Sequence, residues 1–210
     1  MVKPELCRSC SGRGEQICIY TMYKYGGEMI TGHVFIATSL DGFIARDDGD
    51  IGWLLERDAP DEDHGYDAFI AGIDAILMGR GTYETIRAVR PWPFAHPVVV
   101  LSQTLTQDDL PEDLSREPGN KVRVLGLSPD AAMRLLHSEG HRKVYVDGGR
   151  VIQSFLRAGL IADMVVTTVP VLLGAGRRLF GPVAGDIPLH HQETKSFPSG
   201  LVQSRYRILA

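Results

Sequence analysis

The stretch VYVDGGRVIQSF, residues 144–155, sets a β-branched run against a helical pattern with two bare glycines at the joint. Glycine costs backbone entropy, so a glycine pair between a strand and a helix has a geometric reason. Either the chain turns too sharply for a side chain, or a ligand must approach the backbone closely. Helix N-termini present free N–H groups and a partial positive charge, which suit phosphate. Gly148 and Gly149 would let a pyrophosphate rest against the helix that begins at Arg150.

The flanking chain repeats this layout. HVFIATSL (33–40) reads as a strand ending at the turn Asp41-Gly42, after which FIA resumes it. AILMG (75–79), PVVVLS (97–102), KVRVLG (121–126), KVYVDG (143–148) and DMVVTTVPVLLG (163–174) read as further strands. YDAFIAGI (66–73), TYETIRAV (82–89), SPDAAMRLLHSEG (128–140) and the run from Val151 read as helices, the third capped by Ser128, with Pro129 in its first turn and Gly140 closing it. DGDIGWLLERDAPDEDHG (48–65) and the segment containing Pro111 and Pro118 read as loops. LHHQETKSF and LVQSRYRIL (189–209) form a closing hairpin around Pro198-Ser199-Gly200. Strands alternating with helices imply an α/β domain with a mixed, mostly parallel sheet and an antiparallel hairpin at its C-terminal edge. In such sheets ligands bind outside the carboxyl ends of the parallel strands. No joint carries the G-x-G-x-x-G dinucleotide fingerprint.

Composition narrows the class. The chain has 210 residues, 44% hydrophobic and 23% charged, with a net charge of −4. This is a globular profile with no general attraction for nucleic acid or anionic membrane, and no apolar run has the length of a membrane span. Cys7, Cys10 and Cys18 are the three cysteines, all near the N-terminus, so no disulfide framework is expected and a cytoplasmic location is the default. One C-x-x-C falls short of a closed zinc site, which needs four ligands, and no metal is expected. Residues 1–28 read as a poorly ordered extension and 29–210 as one domain. His190 and His191 alternate on a strand and cannot form a metal pair on one face. Trp53 and Tyr66 could stack on a flat ring or simply belong to the core.

AILMGRGTYETI, VVVLSQ, VYVDGGRVIQSFL and VVTTVPVLLGAGRRLFG occur in the order and spacing of the dihydrofolate reductase-like superfamily. IATSLDGFIA and PVLLGAGRRLF make the chain more similar to the branch related to the C-terminal reductase domain of the riboflavin-biosynthesis deaminase-reductase, the RibD C-terminal domain. The resemblance spans about residues 31–209 and implies a twisted mixed sheet, NADPH as cofactor, hydride transfer to a heterocycle, and a homodimer. It places Gly79, Arg80 and Thr82 along the adenosine phosphates, and Leu101, Ser102 and Gln103 at the adenosine and its 2′-phosphate. It places Gly148, Gly149, Arg150, Val151 and Ile152 at the pyrophosphate, Ala37 and Ile44 near the nicotinamide, and Thr167 on the adjoining strand. It also implies a cis peptide bond within Asp147-Gly148-Gly149. Asp147 stands where folate enzymes have glycine and is closer to the acidic residue of the riboflavin branch.

Reduction of a C=N or C=O bond also needs a proton donor. Counting back from LMGR places the folate enzymes' acid on Asp63, within the acidic loop of Asp58, Asp61 and Glu62. Asp41 is the second candidate, although turn chemistry explains it as well. Residues 61–79 contain no arginine or lysine, which the riboflavin enzymes use near there to grip a ribose phosphate. The expected activity is a stand-alone NADPH-dependent reductase acting on an aminouracil or similar heterocycle. Dihydrofolate reduction and a non-catalytic NADPH-binding module are the alternatives.

Overall fold

The computed structural model describes residues 29–57, 59, 61–115 and 122–209. Cys7, Cys10, Cys18 and Asp58 lie outside the described residues, as does the proposed extension. Ten strands and six α-helices follow in the order β1 (Thr31–Ser39), β2 (Phe43–Ala45), α1 (Gly52–Leu55), α2 (Tyr66–Ile70), β3 (Ala75–Gly79), α3 (Arg80–Ile86), β4 (Val98–Leu101), α4 (Glu112–Ser115), β5 (Val122–Leu125), α5 (Pro129–Ser138), β6 (Lys143–Asp147), α6 (Gly149–Arg157), β7 (Ile161–Val169), β8 (Arg177–Arg178), β9 (Leu189–Ser196) and β10 (Val202–Ile208).

Eight strands form one sheet in the order β5-β4-β3-β6-β1-β7-β10-β9. The first six are parallel, and β10 and β9 add antiparallel. Strands covered on both faces can be apolar at every position, and Ala75 to Met78 of β3 are all fully buried. Their side chains alternate between two cores. Leu77, Val99 and Val146 pack with Met133, Ile152 and Phe155 of α5 and α6, whereas Ile76, Met78 and Val100 pack with Tyr83, Leu110 and Leu114. β9 is the opposite case. Every residue of it is exposed, and its polar sequence suits an edge strand.

The local signals act as read. The Ser128 side chain accepts from the Ala131 N–H, Pro129 opens α5, and Gly140 at φ +97° ends it. Three segments differ from their sequence reading. FIA does not resume β1 but pairs with β8 in a separate two-stranded sheet, because Gly42 at φ +83° turns the chain away. The acidic stretch 48–65 holds α1, which exists to bury Trp53 rather than through helical propensity. The loop after β4 likewise holds a capped 3-10 turn (Gln107–Asp109) and α4, anchored by buried Leu110 and Leu114.

Gly148 occupies φ +92°, and a Cβ there would lie 2.5 Å from Thr82 Oγ1. Gly148→Ala is therefore expected to destabilise the protein by about 2 kcal/mol or more, through combined strain and collision. Urea unfolding measures this. Adding Thr82→Ala should recover the steric part only.

Candidate functional site at the carboxyl ends of the parallel strands

β3, β4, β6, β1 and β7 end on one side of the sheet at Gly79, Leu101, Asp147, Ser39 and Val169. The turn after β6 is the tightest joint there. Gly148 lies against Thr82 and the Gly79 amide, and a Cβ on Gly149 would stand 2.8 Å from the Arg178 carbonyl and 3.0 Å from Ile44 Cδ1. A Cβ on Gly79 would meet Val151 at 3.0 Å. Gly79, Thr82, Gly148, Gly149, Val151 and Ile44 thus converge at this joint. The glycine pair is demanded by packing of protein on protein. The expected cis bond is not present, and Arg90-Pro91 is the only cis bond among the described residues. Gly148, at φ +92° and ψ 131°, makes the turn by dihedral freedom alone, so no cis amide is required.

Several donors at this joint have no side-chain acceptor among the described residues. Neither α3 nor α6 has a side-chain N-cap, so the N–H groups of both first turns face the joint unsatisfied by side chains. Arg150 is exposed and has no partner among the described residues. Arg80 is held by Glu84 at 2.6 Å and donates to Thr104 Oγ1 at 2.8 Å, which draws it toward the end of β4. Ser102 caps that same turn by accepting from the Thr104 and Leu105 amides. Gln103 is exposed beside Gly126, whereas Leu101 packs against the core. Ile152 is fully buried, so its side chain serves the core and only its backbone belongs to the α6 turn. A set made of N–H and guanidinium groups fits a dinucleotide's phosphates.

On the other side of β6, Ala37 and Thr167 are register partners on β1 and β7. Gln203 donates to Thr167 Oγ1 and to the His64 carbonyl, both at 3.0 Å, and so ties β10 to the loop before α2. Asp63 in that loop is exposed and accepts from the Gly65 amide at 2.7 Å. It lines a cavity of about 550 Å³ that runs along the sheet face toward the amino ends of β1 and β6, where His33 and Lys143 lie. Asp41 has a different position. Its carboxylate accepts from Ser39 Oγ at 2.6 Å and from the Leu173 and Gly174 amides at 3.1 and 2.7 Å. The Ser39 hydroxyl, helped by these amides, lowers its pKa to about 2, so Asp41 stays ionised and joins the β1 turn to the loop after β7.

Asp147 is the group that the motifs did not mark as catalytic. Burial raises its pKa to about 6, against a single opposing hydrogen bond from the Gly148 amide at 2.7 Å. Tyr66 and Tyr145 lie close enough for its charge to raise theirs, though burial is the larger cause for both. An aromatic wall continues from there, with Phe35 against Tyr66 and Phe69 at ring separations of 5.6 and 5.1 Å. Asp147 ends an interior strand and is partly buried, whereas the loop acid Asp63 is exposed.

The sheet order and the glycine joint define a dihydrofolate reductase-like fold. The RibD C-terminal domain model matches residues 31–202, and the chain belongs to that family. It is 29% identical to the uncharacterized protein YwjB of Bacillus subtilis (strain 168), over 78% of this chain and 90% of that one. A Shewanella sp. PV-4 crystal structure, named for riboflavin biosynthesis, is 33% identical and covers 86% of this chain and 100% of its own, with a TM-score of 0.77. Enterococcus faecalis dihydrofolate reductase, solved with NADP(H), shares the fold at 15% identity and a TM-score of 0.57, over 86% of this chain and 97% of its own. Among the described residues, no helix is long and apolar enough to cross a membrane.

Asp147 makes the protein's stability depend on pH. Its folded pKa of about 6 exceeds the ordinary 3.8, so the native state holds this proton more tightly than the unfolded chain. Stability should therefore fall as pH rises from about 4 to about 6 and remain lower above that. Asp147→Asn removes the charge and should be more stable than the parent by about 1–3 kcal/mol at pH 8, with the gap closing below pH 4. Urea unfolding across this range tests it.

Proposed function

We propose that this chain is an NADPH-dependent reductase of a pyrimidine- or pteridine-type heterocycle, most like 5-amino-6-(5-phosphoribosylamino)uracil. The observation that carries the reading is Asp147: a carboxyl held partly protonated near neutral pH, at the end of a central strand and next to an all-donor cradle. NADPH, when bound, supplies the hydride. The first turns of α3 and α6 with Arg150 hold its diphosphate, while Arg80, Ser102 and Gln103 serve the adenosine end. Ala37 and Ile44 flank the ring. Asp147 gives its proton to the reduced nitrogen or oxygen, and the Phe35–Tyr66 wall supports a flat substrate. The cations missing from residues 61–79 come from elsewhere in the chain. Lys143, Lys195 and Arg205 line the cavity together with Asp63, Asp163 and Glu193; Arg205 pairs with Glu193 at 3.6 Å, and the two lysines form no ion pair among the described residues. They support a phosphorylated substituent in that cavity. Family membership and the riboflavin-named relative favour an aminouracil over dihydrofolate.

NADPH oxidation with phosphoribosylaminouracil, its unphosphorylated analogue and dihydrofolate tests the reading. The phosphorylated aminouracil should be turned over fastest, with kcat falling as pH rises through about 6. Asp147→Asn should lower kcat by roughly 100-fold or more. Preferential turnover of dihydrofolate, or tight NADPH binding without turnover of any of the three, would replace the reading. For the cofactor itself, Arg80→Ala should weaken NADPH roughly ten- to a hundredfold and leave NADH nearly unchanged, since only NADPH carries the 2′-phosphate. Dissociation constants at fixed salt measure this, and an equal loss for both cofactors removes the role assigned to Arg80.

A further inference from the structure

At the amino ends of β1 and β7, far along the strands from the glycine joint, three side chains form one hydrogen-bonded series. Thr31 Oγ1 lies 2.9 Å from His33 Nε2, and His33 Nδ1 lies 2.9 Å from Asp163 Oδ2. A carboxylate can only accept, so in the neutral imidazole Nδ1 carries the proton and Nε2 accepts from the Thr31 hydroxyl. Hydroxyl, imidazole and carboxylate stand in the order of a nucleophile, its base and the group that orients the base.

The backbone is bent to produce this series. Gly32 pairs with Ile161, and an unbroken ladder would set His33 opposite Ala162. A bulge passes over Ala162 and brings Asp163 opposite His33 instead. Gly32 stands so close to the entry of β7 that a Cβ on it would lie 2.7 Å from the Leu160 carbonyl. Thr31 and His33, on either side of it, point to the same face of β1. Lys143 is the register partner of Thr31 on β6, and with His33 and Asp163 it lines the cavity of about 550 Å³. The His33 side chain is 14% exposed and that of Asp163 35%, so the base is sheltered but reached from the cavity. The reductase reading makes no use of Thr31, His33 or Asp163.

We propose that Thr31, His33 and Asp163 are a second catalytic group, which hydrolyses small carboxylic esters with Thr31 as nucleophile. The inference does not rest on the reductase reading. Thr31 Oγ1 bonds to the ester carbonyl carbon while its proton passes to His33 Nε2. The bond to the alcohol oxygen then breaks, the alcohol leaves with that proton, and Thr31 is acylated. Water attacks the acyl carbon and gives a proton to His33. The acid departs, and the proton returns to Thr31. One ester and one water thus yield one acid and one alcohol, with no oxidant or reductant. Asp163 is a positioning residue that keeps Nε2 turned to Thr31. The Lys143 ammonium, on the neighbouring strand, offsets the negative charge that develops on the carbonyl oxygen.

The test is hydrolysis of 4-nitrophenyl acetate by the full chain, with the acetylated residue located by peptide mass spectrometry after an acid quench. Thermal melting confirms that each variant is folded. The parent should turn the ester over and carry the acetyl group on Thr31. Thr31→Ala and His33→Gln should each lower kcat/KM by roughly 100-fold or more, whereas Thr31→Ser keeps a hydroxyl and should retain activity. Asp163→Asn should lower kcat by roughly 100-fold with KM nearly unchanged, because an amide can donate to Nδ1 and so turn the ring proton to Nε2. Should Thr31→Ala fail to fold, His33→Gln decides in the same way. If the parent is no faster than these variants, or if the acetyl group sits on Lys143 or His33 with Thr31 unmodified, the inference falls.

Discussion

The architecture of the site depends on one close approach, that of Gly148 to Thr82. The chain leaves β6 with φ +92° and enters α6 so near to α3 that a single Cβ would stand 2.5 Å from the Thr82 hydroxyl. Because α3 starts directly from β3 and α6 from β6, and β3 and β6 are hydrogen-bonded neighbours, this contact fixes the two helix starts side by side. Neither start is capped by a side chain. Their amides are therefore left directed to the same small region, with Arg80 and Arg150 beside them. A side chain at Gly148 would part the two helices and divide that region. The same turn sets Asp147, whose carboxyl accepts from the Gly148 amide.

That placement has an electrostatic consequence. An ionised carboxylate next to these N–H and guanidinium donors would repel any anion drawn to them. Burial resolves the conflict by raising the Asp147 pKa to about 6, so a fraction of the protein holds a neutral acid near physiological pH. Asp41 shows what the alternative environment does. With a hydroxyl and two amides donating to it, its pKa is lowered to about 2, and it works as a joint between loops. Two aspartates at the ends of neighbouring strands β6 and β1 are thus driven in opposite directions by burial and by hydrogen bonding. On the reductase reading only Asp147 has a proton to give.

The strands, α5 with its Ser128 cap and the glycine joint were legible because they rest on local rules: alternation, capping and positive φ. The segments misread were those that tertiary packing decides. α1 forms where Trp53 needs burial, and β2 leaves the main sheet because β8, more than 130 residues away, is the partner it finds. Asp63 was found by counting along an acidic loop, a method blind to exposure. Asp147 was visible as an unusual residue, but its raised pKa comes from burial, which only the packed chain sets. Arg177 was quoted within a motif, yet its contacts run to Asp47, Gly49 and Gly81, three points that meet only in the folded chain.

The two halves of the sheet explain why one side of the site was readable and the other was not. In the parallel half both faces are covered, and the donors come from main chain at strand-to-helix joints. Main-chain donors leave a record in sequence as glycines at fixed spacing, since only glycine permits the turn. Beyond β7 the sheet becomes antiparallel and its surface opens to solvent. The cavity there is lined by Lys143 of β6, Lys195 of β9, Arg205 and Gln203 of β10, and the loop before α2. Those side chains come from four elements and obey no common spacing. Lys143, Lys195 and Arg205 are exposed on their strands and can change without disturbing a turn, whereas Gln203 ties β10 to the loop before α2. A fold built this way holds the helix starts of the parallel half constant through backbone geometry and leaves the face lining the cavity free to vary through side chains.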